Sequence, residues 1–374
     1  MTAPQRVALL FGGRSVEHEV SVVSARGVDA AMARTRLVCV PIGVTGEGRW
    51  LSPESSRRVL SGRSPRVEVG PADDDGIRIL IDPGGAGLLL HEGGKATRRL
   101  DIDVLFPLVH GWGGEDGRLQ GALELAGTPY IGSGVLGSAV GMDKAAAKVL
   151  FASHGLAVVP GFVVTRQDWS TDPVRIRQRI ADELGFPAFV KPANGGSSVG
   201  VSKVRGAGEV EAAIDLALGH DRRVVVERGI DAREIECAIL GNDVPEASGL
   251  GEIAPSREFY DYTAKYLDPG SKLTIPAELP PADTERIRQM AIRAYQALDL
   301  SGFARVDFLV ERSSGVPYVN EVNTLPGFTP ISMFPKLWEA AGVPYGRLVE
   351  RLVDLGVERA RDAADRTFRW AGAS

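Results

Sequence analysis

Apolar residues along this chain fall into short unbroken runs separated by glycine-rich turns. "RVALLF", from Arg6 to Phe11, reads as a strand buried on both faces. "GGRS" follows, and then Val16, Val20, Val23, Gly27 and Ala31 recur near helical spacing. "LVCVPIGVT" is a second strand, so the opening is a strand–helix–strand unit and predicts a parallel sheet. "DVLFPLVHG" returns to a buried strand and ends in "HGWGGEDG"; "GRLQGALELAG" then reads as a helix and "TPYIG" as a strand. Residues 52–100 differ, being rich in Gly, Pro, Asp and Arg, with short alternating runs "GIRILI" and "AGLLLHE". They predict a small antiparallel insertion.

Two further units follow. "KAAAKVLFASHG" is a helix stopped by Gly155, "VVPGFVVT" a strand and "PVRIRQRIADELG" a helix. "PAFVKPANGGSSVGVSKV" reads as two strands joined by a Gly/Ser-rich loop, followed by the helix "EVEAAIDLALG" and the strand "RRVVVERGI". The third unit begins near "REIECAIL" and contains "EFYDYTAKY", which packs Tyr260, Tyr262 and Tyr266 into nine residues between irregular flanks. A loop this rich in aromatics is expected to cover something. The helix "ADTERIRQMAIRAYQALDL", the strands "FARVDFLVE" and "VPYVNEVN", and a helical tail complete the chain, with "RTFRWAGAS" read as a frayed end.

Composition narrows the classes. The 374 residues suffice for two or three domains, and 44% hydrophobic with 24% charged residues is an ordinary globular balance. A net charge of -5 leaves no basic footprint for nucleic acid. The two cysteines, Cys39 and Cys237, build neither a disulfide framework nor a zinc knuckle, which points to a reducing, cytoplasmic setting. "VALLF" is too short for a signal peptide or a membrane span.

Several motifs carry candidate chemistry. "GSGVLG", Gly132 to Gly137, matches a dinucleotide fingerprint, but no acid follows at the spacing that would hold a ribose, and there is no P-loop. The second glycine loop is more telling. Lys191 ends an apolar strand and Gly195, Gly196, Ser197 and Ser198 follow, so small residues and hydroxyls can approach phosphate oxygens. An ordinary flexible hairpin is the bland alternative. On the late strands, Arg305 and Asp307 share one face, as do Glu321 and Asn323, while Val306, Phe308, Val319 and Val322 alternate with the acids. Two carboxylates and an amide oxygen suit Mg²⁺ bridging phosphates. Glu17 near the first helix could be only a dipole partner. His110 ends a parallel strand, where open α/β sheets bind ligands, though alone it could be structural.

The ordered series "FGGRSVEHEVS", "HGWGGEDG", "GSGVLGSAVGMDK", "FVKPANGGSSVGVSKV", "EFYDYTAKY", "ARVDF" and "NEVNTLPGFTPIS" resembles the D-alanine–D-alanine ligase family, from about Arg6 to about Val353. The resemblance implies an α/β (α+β) chain with the three-domain ATP-grasp fold. Its parts would be an N-terminal substrate-binding domain over 1–133 with a parallel sheet and the insertion near 52–100, a central subdomain over 134–229, and a C-terminal catalytic domain over 230–374 with a lid near 251–272. ATP, the co-substrate, would be clamped between the last two. Matched by position, the resemblance implies Lys144, Lys191, Ser198 and Lys265 on the phosphates, Glu227 and Ile230 on the adenine, and Glu234 on the ribose. It assigns two Mg²⁺, with Mn²⁺ as a substitute, to Asp307, Glu321 and Asn323. Glu17, helped by His110, would take the ammonium of the first D-alanine, in a chain with Ser197 and Tyr266. Arg305 and the Gly327 N–H would hold the oxyanion, and Ser332 with the Met333 N–H the carboxylate of the second D-alanine.

The implied activity is ATP-dependent formation of D-alanyl-D-alanine through D-alanyl phosphate, releasing ADP and phosphate, for peptidoglycan precursors. The implied partners are small molecules only, in a cytoplasmic homodimer. A tyrosine-rich lid excluding water would suit an acyl phosphate. The closest rival is a ligase of the same fold taking D-lactate or another second substrate. A non-catalytic ATP-binding regulatory protein would be expected to lose metal ligands or the oxyanion arginine, and none is lost here. A nicotinamide oxidoreductase is the weakest rival.

Overall fold

The computed structural model describes residues 5–69, 78–82, 87–91, 97–254 and 272–366. Tyr260, Tyr262, Lys265, Tyr266 and the terminal "TFRWAGAS" lie outside the described residues.

The opening unit folds as its pattern predicts. β1 (Arg6–Gly12), α1 (His18–Met32) and β2 (Val38–Val44) lead, by way of the insertion, to β6 (Val104–Pro107), and the three strands form a parallel sheet in the order β2-β1-β6. Val7 to Phe11 are wholly buried, as a strand covered on both faces requires. The "TPYIG" strand is reduced to a single parallel bridge between Leu105 and Tyr130. The insertion is antiparallel: β3 (Arg78–Asp82), β4 (Gly87–His91) and β5 (Arg98–Arg99) form a three-stranded sheet. It is preceded by a helix that the pattern did not suggest, α2 (Pro53–Ser61), with Ser52 accepting from the Ser55 N–H as N-cap and Pro at the first turn.

α3 (Arg118–Leu125), α4 (Val135–Met142) and α5 (Lys144–Ser153) follow; α5 ends at His154 and a left-handed Gly155. Four antiparallel strands come next in the order β7-β10-β8-β9: β7 (Gly161–Thr165), β8 (Ala188–Pro192), β9 (Ser202–Val204) and β10 (Arg223–Arg228). α6 (Arg166–Thr171), α7 (Pro173–Arg179) and α8 (Val210–His220) bury Trp169, Ile176 and Ile214 against Val190 and Val224.

The last sheet holds five antiparallel strands ordered β13-β12-β11-β14-β15: β11 (Ala232–Leu240), β12 (Glu246–Ala254), β13 (Lys272–Thr274), β14 (Phe303–Glu311) and β15 (Pro317–Asn323). α9 (Pro281–Ala297) covers one face with Ile287, Met290, Ala291, Ala294 and Tyr295, one helical stripe that packs with Val306, Phe308, Val319 and Val322. α10 (Met333–Ala340) and α11 (Tyr345–Asp365) close the described chain. One apolar core joins the first sheet to the last: Phe106, Phe303 and Phe328 meet edge to face at centroid distances of 5.6 to 6.1 Å. That shared core fixes the carboxyl end of β1 and β6 beside the exit of β15. Among the described residues no helix is long and apolar enough to cross a membrane.

Candidate active site

Two adjoining cavities, about 620 and 750 Å³, lie where the parallel sheet and the four- and five-stranded sheets converge, and Lys144, Ser197, Arg305 and Glu321 line both. The first also takes in Lys191, Ser198, Glu227, Ile230, Glu234 and Asp307. The second takes in Glu17, His110, Asn323, Gly327, Ser332 and Met333. Every predicted site residue within the described chain therefore borders one continuous cleft; Lys265 and Tyr266 lie outside the described residues.

The glycine loop is anchored at its root. Asp143 accepts from the Ala146 N–H at 3.0 Å as N-cap of α5, and its other oxygen takes Asn194 Nδ2 at 3.2 Å and Arg223. Asp221 binds the Asn194 backbone N–H at 2.8 Å. These contacts hold Lys144 over the loop, its Nζ donating to the Gly195 carbonyl at 2.6 Å and lying 3.4 Å from Glu321. At the tip Ser197 and Ser198 both adopt left-handed backbone, φ +50° and +59°, a strain that tends to accumulate at binding loops. The Ser197 hydroxyl is buried and makes no hydrogen bond among the described residues.

Beneath the loop sits a buried charge triad. Glu227, only 2% exposed, receives Lys191 Nζ on one oxygen at 2.7 Å and Lys148 Nζ on the other at 2.5 Å. Strand pairing explains part of this: Glu227 lies opposite Phe189, one same-face step from Lys191. Burial alone would raise the Glu227 pKa, but the two ammoniums outweigh it and hold the carboxyl at about 2. Lys148 itself is pulled below the ordinary lysine value by burial. In Lys191 burial pulls the same way, but Glu227 together with Glu321 and Glu234 outweighs it and raises the value. Each Glu227 oxygen keeps a second lone pair, so a carboxylate held this way can still accept from an exocyclic amino group.

On the last sheet, Glu236, Asp307 and Glu321 stand side by side in register across β11, β14 and β15. Arg305 forks onto both Asp307 oxygens at 2.7 Å and reaches Glu236 at 3.0 Å, while Asn323 Nδ2 donates to Asp307 at 2.9 Å. Among the described residues no three His, Cys, Asp or Glu side chains converge on a single point. A cation held by Asp307, Glu321 and Asn323 would therefore need further oxygens, which is how Mg²⁺ is commonly bound beside substrate phosphates. The hard oxygen donors present fit that ion.

At the other end, the Glu17 carboxylate is wedged against two backbones. A Cβ on Gly111 would lie 2.6 Å from its Oε2, and one on Gly196 3.3 Å away; Gly111 also has φ +72°, so glycine is required there twice over. His110 Nδ1 lies 2.9 Å from the Leu325 carbonyl, which can only accept, so this nitrogen carries the proton. Its Nε2 then faces the Ser24 hydroxyl at 3.3 Å. Burial pulls the His110 pKa down, despite Glu17 nearby, and the ring is neutral. Glu115 accepts from the Gly111 and Leu325 N–H groups at 2.7 and 3.0 Å, tying the "HGWGGEDG" turn to the exit of β15. Burial and the Glu17 charge push its carboxyl up to about 8. Ser332 Oγ accepts from the Thr329 N–H at 3.0 Å and lies beside Gly327.

Residues 6–133 match the pattern described as D-ala D-ala ligase N-terminus, and residues 150–354 that described as D-ala D-ala ligase C-terminus. The chain belongs to the D-alanine–D-alanine ligase family. Within it, a D-alanine–D-alanine ligase of Heliobacterium modesticaldum is 48% identical over 360 residues, 96% of both chains. That of Deinococcus radiodurans is 47% identical, over 95% of this chain and 99% of its own. Among solved structures, the D-alanine–D-alanine ligase of Coxiella burnetii superposes with a TM-score of 0.83 at 35% identity, over 97% of both chains. The VanG D-Ala:D-Ser ligase of Enterococcus faecalis superposes at 0.81 and 34% identity, over 94% of this chain and 99% of its own. The fold is thus that of the ATP-grasp D-alanine–D-alanine ligases, as the motif series implied.

Three residues in or beneath this cleft are not marked by the sequence motifs: Lys148, Glu236 and Glu115. Each had a signal. Lys148 is four residues from Lys144 on one helix, a like-charge spacing that an exposed helix avoids. Glu236 shares a strand face with Glu234. Glu115 is an acid inside a glycine-rich turn.

Proposed function

We propose that the protein joins two D-alanine molecules into D-alanyl-D-alanine, using ATP to activate the first as D-alanyl phosphate and releasing ADP and phosphate. The observation that carries this reading is the continuous cleft in which a phosphate-type glycine loop and the Arg305–Asp307–Glu321 register meet the Glu17 and Ser332 end. A carboxylate does not couple to an amine in water, because its oxygen is a poor leaving group; phosphorylation makes it one.

Glu227 accepts the adenine amino group and Glu234 the ribose, while Lys144, Lys191 and the Ser198 loop take the phosphates. Mg²⁺ at Asp307, Glu321 and Asn323, when bound, neutralises phosphate charge during transfer. Glu17 holds the ammonium of the first D-alanine. Its wedged carboxylate leaves the amine end fixed and turns the carboxylate towards the loop. Ser332 and the Met333 N–H hold the carboxylate of the second D-alanine. Its amine, once deprotonated, attacks the acyl carbon, and Arg305 with the Gly327 N–H stabilises the oxyanion. One such donor is worth about 3–4 kcal/mol in well-studied enzymes. The neutral His110 and Glu115 hold the turn and the β15 exit together, which keeps the two substrate ends in register.

A second reading, a different second substrate, has a specific basis in the likeness to the VanG D-Ala:D-Ser ligase. Incubation with ATP, Mg²⁺ and equal D-alanine, D-serine and D-lactate, read by mass spectrometry, separates the readings. D-alanyl-D-alanine is expected to dominate at neutral pH; a majority of ester or of D-alanyl-D-serine refutes that. The resemblance places this choice partly on Tyr266, whose neutral phenol gives no charge bias towards lactate. A cytoplasmic homodimer serving peptidoglycan synthesis completes the reading, and sedimentation of the purified chain tests the dimer.

A further inference from the structure

We propose that Lys336 is a specificity-determining residue of the same cleft, supplying the positive charge that recognises the carboxylate of the second D-amino acid. The proposal rests on the ligase reading above and goes beyond its motif-assigned residues, which give that carboxylate only a hydroxyl and a backbone N–H.

Three observations carry it. Lys336 lines the second cavity together with Gly327, Ser332 and Met333. It follows Ser332 by four residues and Met333 by three at the start of α10, the spacing that places side chains on one helix face. Its surroundings set it apart from the other cations of that cavity. Arg305 is held by Asp307 and Glu236, and Lys144 by Gly195 and Glu321. Lys336 is partly buried, yet among the described residues it forms no ion pair and no hydrogen bond.

Its position also works against local helix electrostatics. An ammonium in the first turn of α10 faces the positive end of the helix dipole, where acids are the favourable choice. The first turn of α10 contains no acid to offset it. A cation kept there without a partner among the described residues is explained by an anion that arrives with the substrate. The second D-amino acid presents such an anion at this end: its carboxylate must be held while its amine is left unprotonated to attack. A full charge at Lys336 adds discrimination beyond that of a hydroxyl and an amide N–H, both neutral donors, because its ion pair is lost outright when an uncharged amide replaces the carboxylate.

The test is steady-state kinetics of the full chain with ATP and Mg²⁺, comparing wild type with Lys336→Gln and Lys336→Arg. Lys336→Gln is expected to raise the KM for the second D-alanine about tenfold, with the KM values for ATP and the first D-alanine moving less than about twofold. D-alaninamide, which lacks the acceptor carboxylate, should lose its disadvantage against D-alanine by a similar factor. Lys336→Arg should restore most of the wild-type preference. A merely structural lysine would instead shift all three constants together and leave the D-alanine to D-alaninamide ratio unchanged, and that result overturns the proposal. So does a Lys336→Gln enzyme whose second KM matches wild type. A wild type that makes no dipeptide would overturn the ligase reading itself, and this proposal with it.

Discussion

Replacing Lys148 by Met removes one ammonium from the Glu227 triad at nearly constant volume. The ammonium lies 2.5 Å from one Glu227 oxygen, and Lys191 stays 2.7 Å from the other. Stripping a buried ion of its only partner costs about 3–5 kcal/mol. Glu227 retains one, so the loss is smaller, on the order of one contact to a charged group, about 1.5–3 kcal/mol. Relief of Lys148's own burial, which already pulls its pKa down, brings the expected value to the lower half of that range. Glu227→Gln is the opposite case, since it leaves two ammoniums buried without their carboxylate, and about 3–5 kcal/mol is expected. The double variant then removes one charge of each sign and should cost less than the sum by at least about 1 kcal/mol. Because Glu227 titrates near 2 in the fold against about 4.5 unfolded, its contribution is complete above about pH 4.5 and is lost as pH falls towards 2. Urea midpoints at neutral pH therefore read the whole effect. A Lys148→Met protein within about 0.5 kcal/mol of wild type, or strictly additive single variants, would refute the triad as a coupled unit.

Three further expectations are simpler. Asp307→Asn keeps the side-chain shape but leaves one acceptor for the Arg305 fork and removes the charge, so turnover should fall about a hundredfold or more with the circular dichroism spectrum unchanged; near-normal turnover at ordinary Mg²⁺ would sink the metal assignment. Glu115 binds its proton more tightly folded, at about 8, than unfolded, so its stabilising effect is complete below about pH 4.5 and declines up to about pH 8, by at most about 1.4 kcal/mol per pH unit. Glu115→Gln should escape that decline, and parallel urea-midpoint curves for the two proteins between about pH 5 and 9 would contradict it. Gly114→Ala would bring a Cβ to 1.8 Å from the Val109 carbonyl oxygen, so the turn must move; a loss of at least about 2 kcal/mol in thermal or urea unfolding is expected, and a wild-type midpoint would show the turn to be slack.

What the sequence made legible follows from where one residue's environment is set by its immediate neighbours. Strand alternation put Arg305 and Asp307 on one face because Val306 and Phe308 had to go inside, and both are buried. Glycine spacing located the loop after Lys191 because small residues there have few other uses. Lys148 and Glu115 were not legible in the same way, since their meaning comes from partners far along the chain: Glu227 for one, Leu325 for the other. Likewise α2 carries a Ser cap and an N-terminal Pro, but the Gly-, Pro-, Asp- and Arg-rich composition of 52–100 points to a small antiparallel insertion. The edge-to-face contacts of Phe106, Phe303 and Phe328 join sheets almost 200 residues apart along the chain, and no local pattern reports that.

The charge layout of the cleft explains why Glu236 belongs to the site although no motif marks it. Arg305 serves two masters in the described structure, the Asp307 fork and Glu236. If a divalent cation takes the Asp307 oxygens, the fork loses its strongest anchor, and an arginine held by Asp307 alone would swing away from its proposed oxyanion position. Glu236 lies on β11 directly opposite Asp307 on β14, is 5% exposed, and has no part in the metal assignment. It can keep Arg305 aimed while Asp307 changes partners. In the proposed mechanism the arrangement separates two demands that one carboxylate could not meet together: holding the cation that neutralises the phosphates and orienting the donor that stabilises the tetrahedral oxygen.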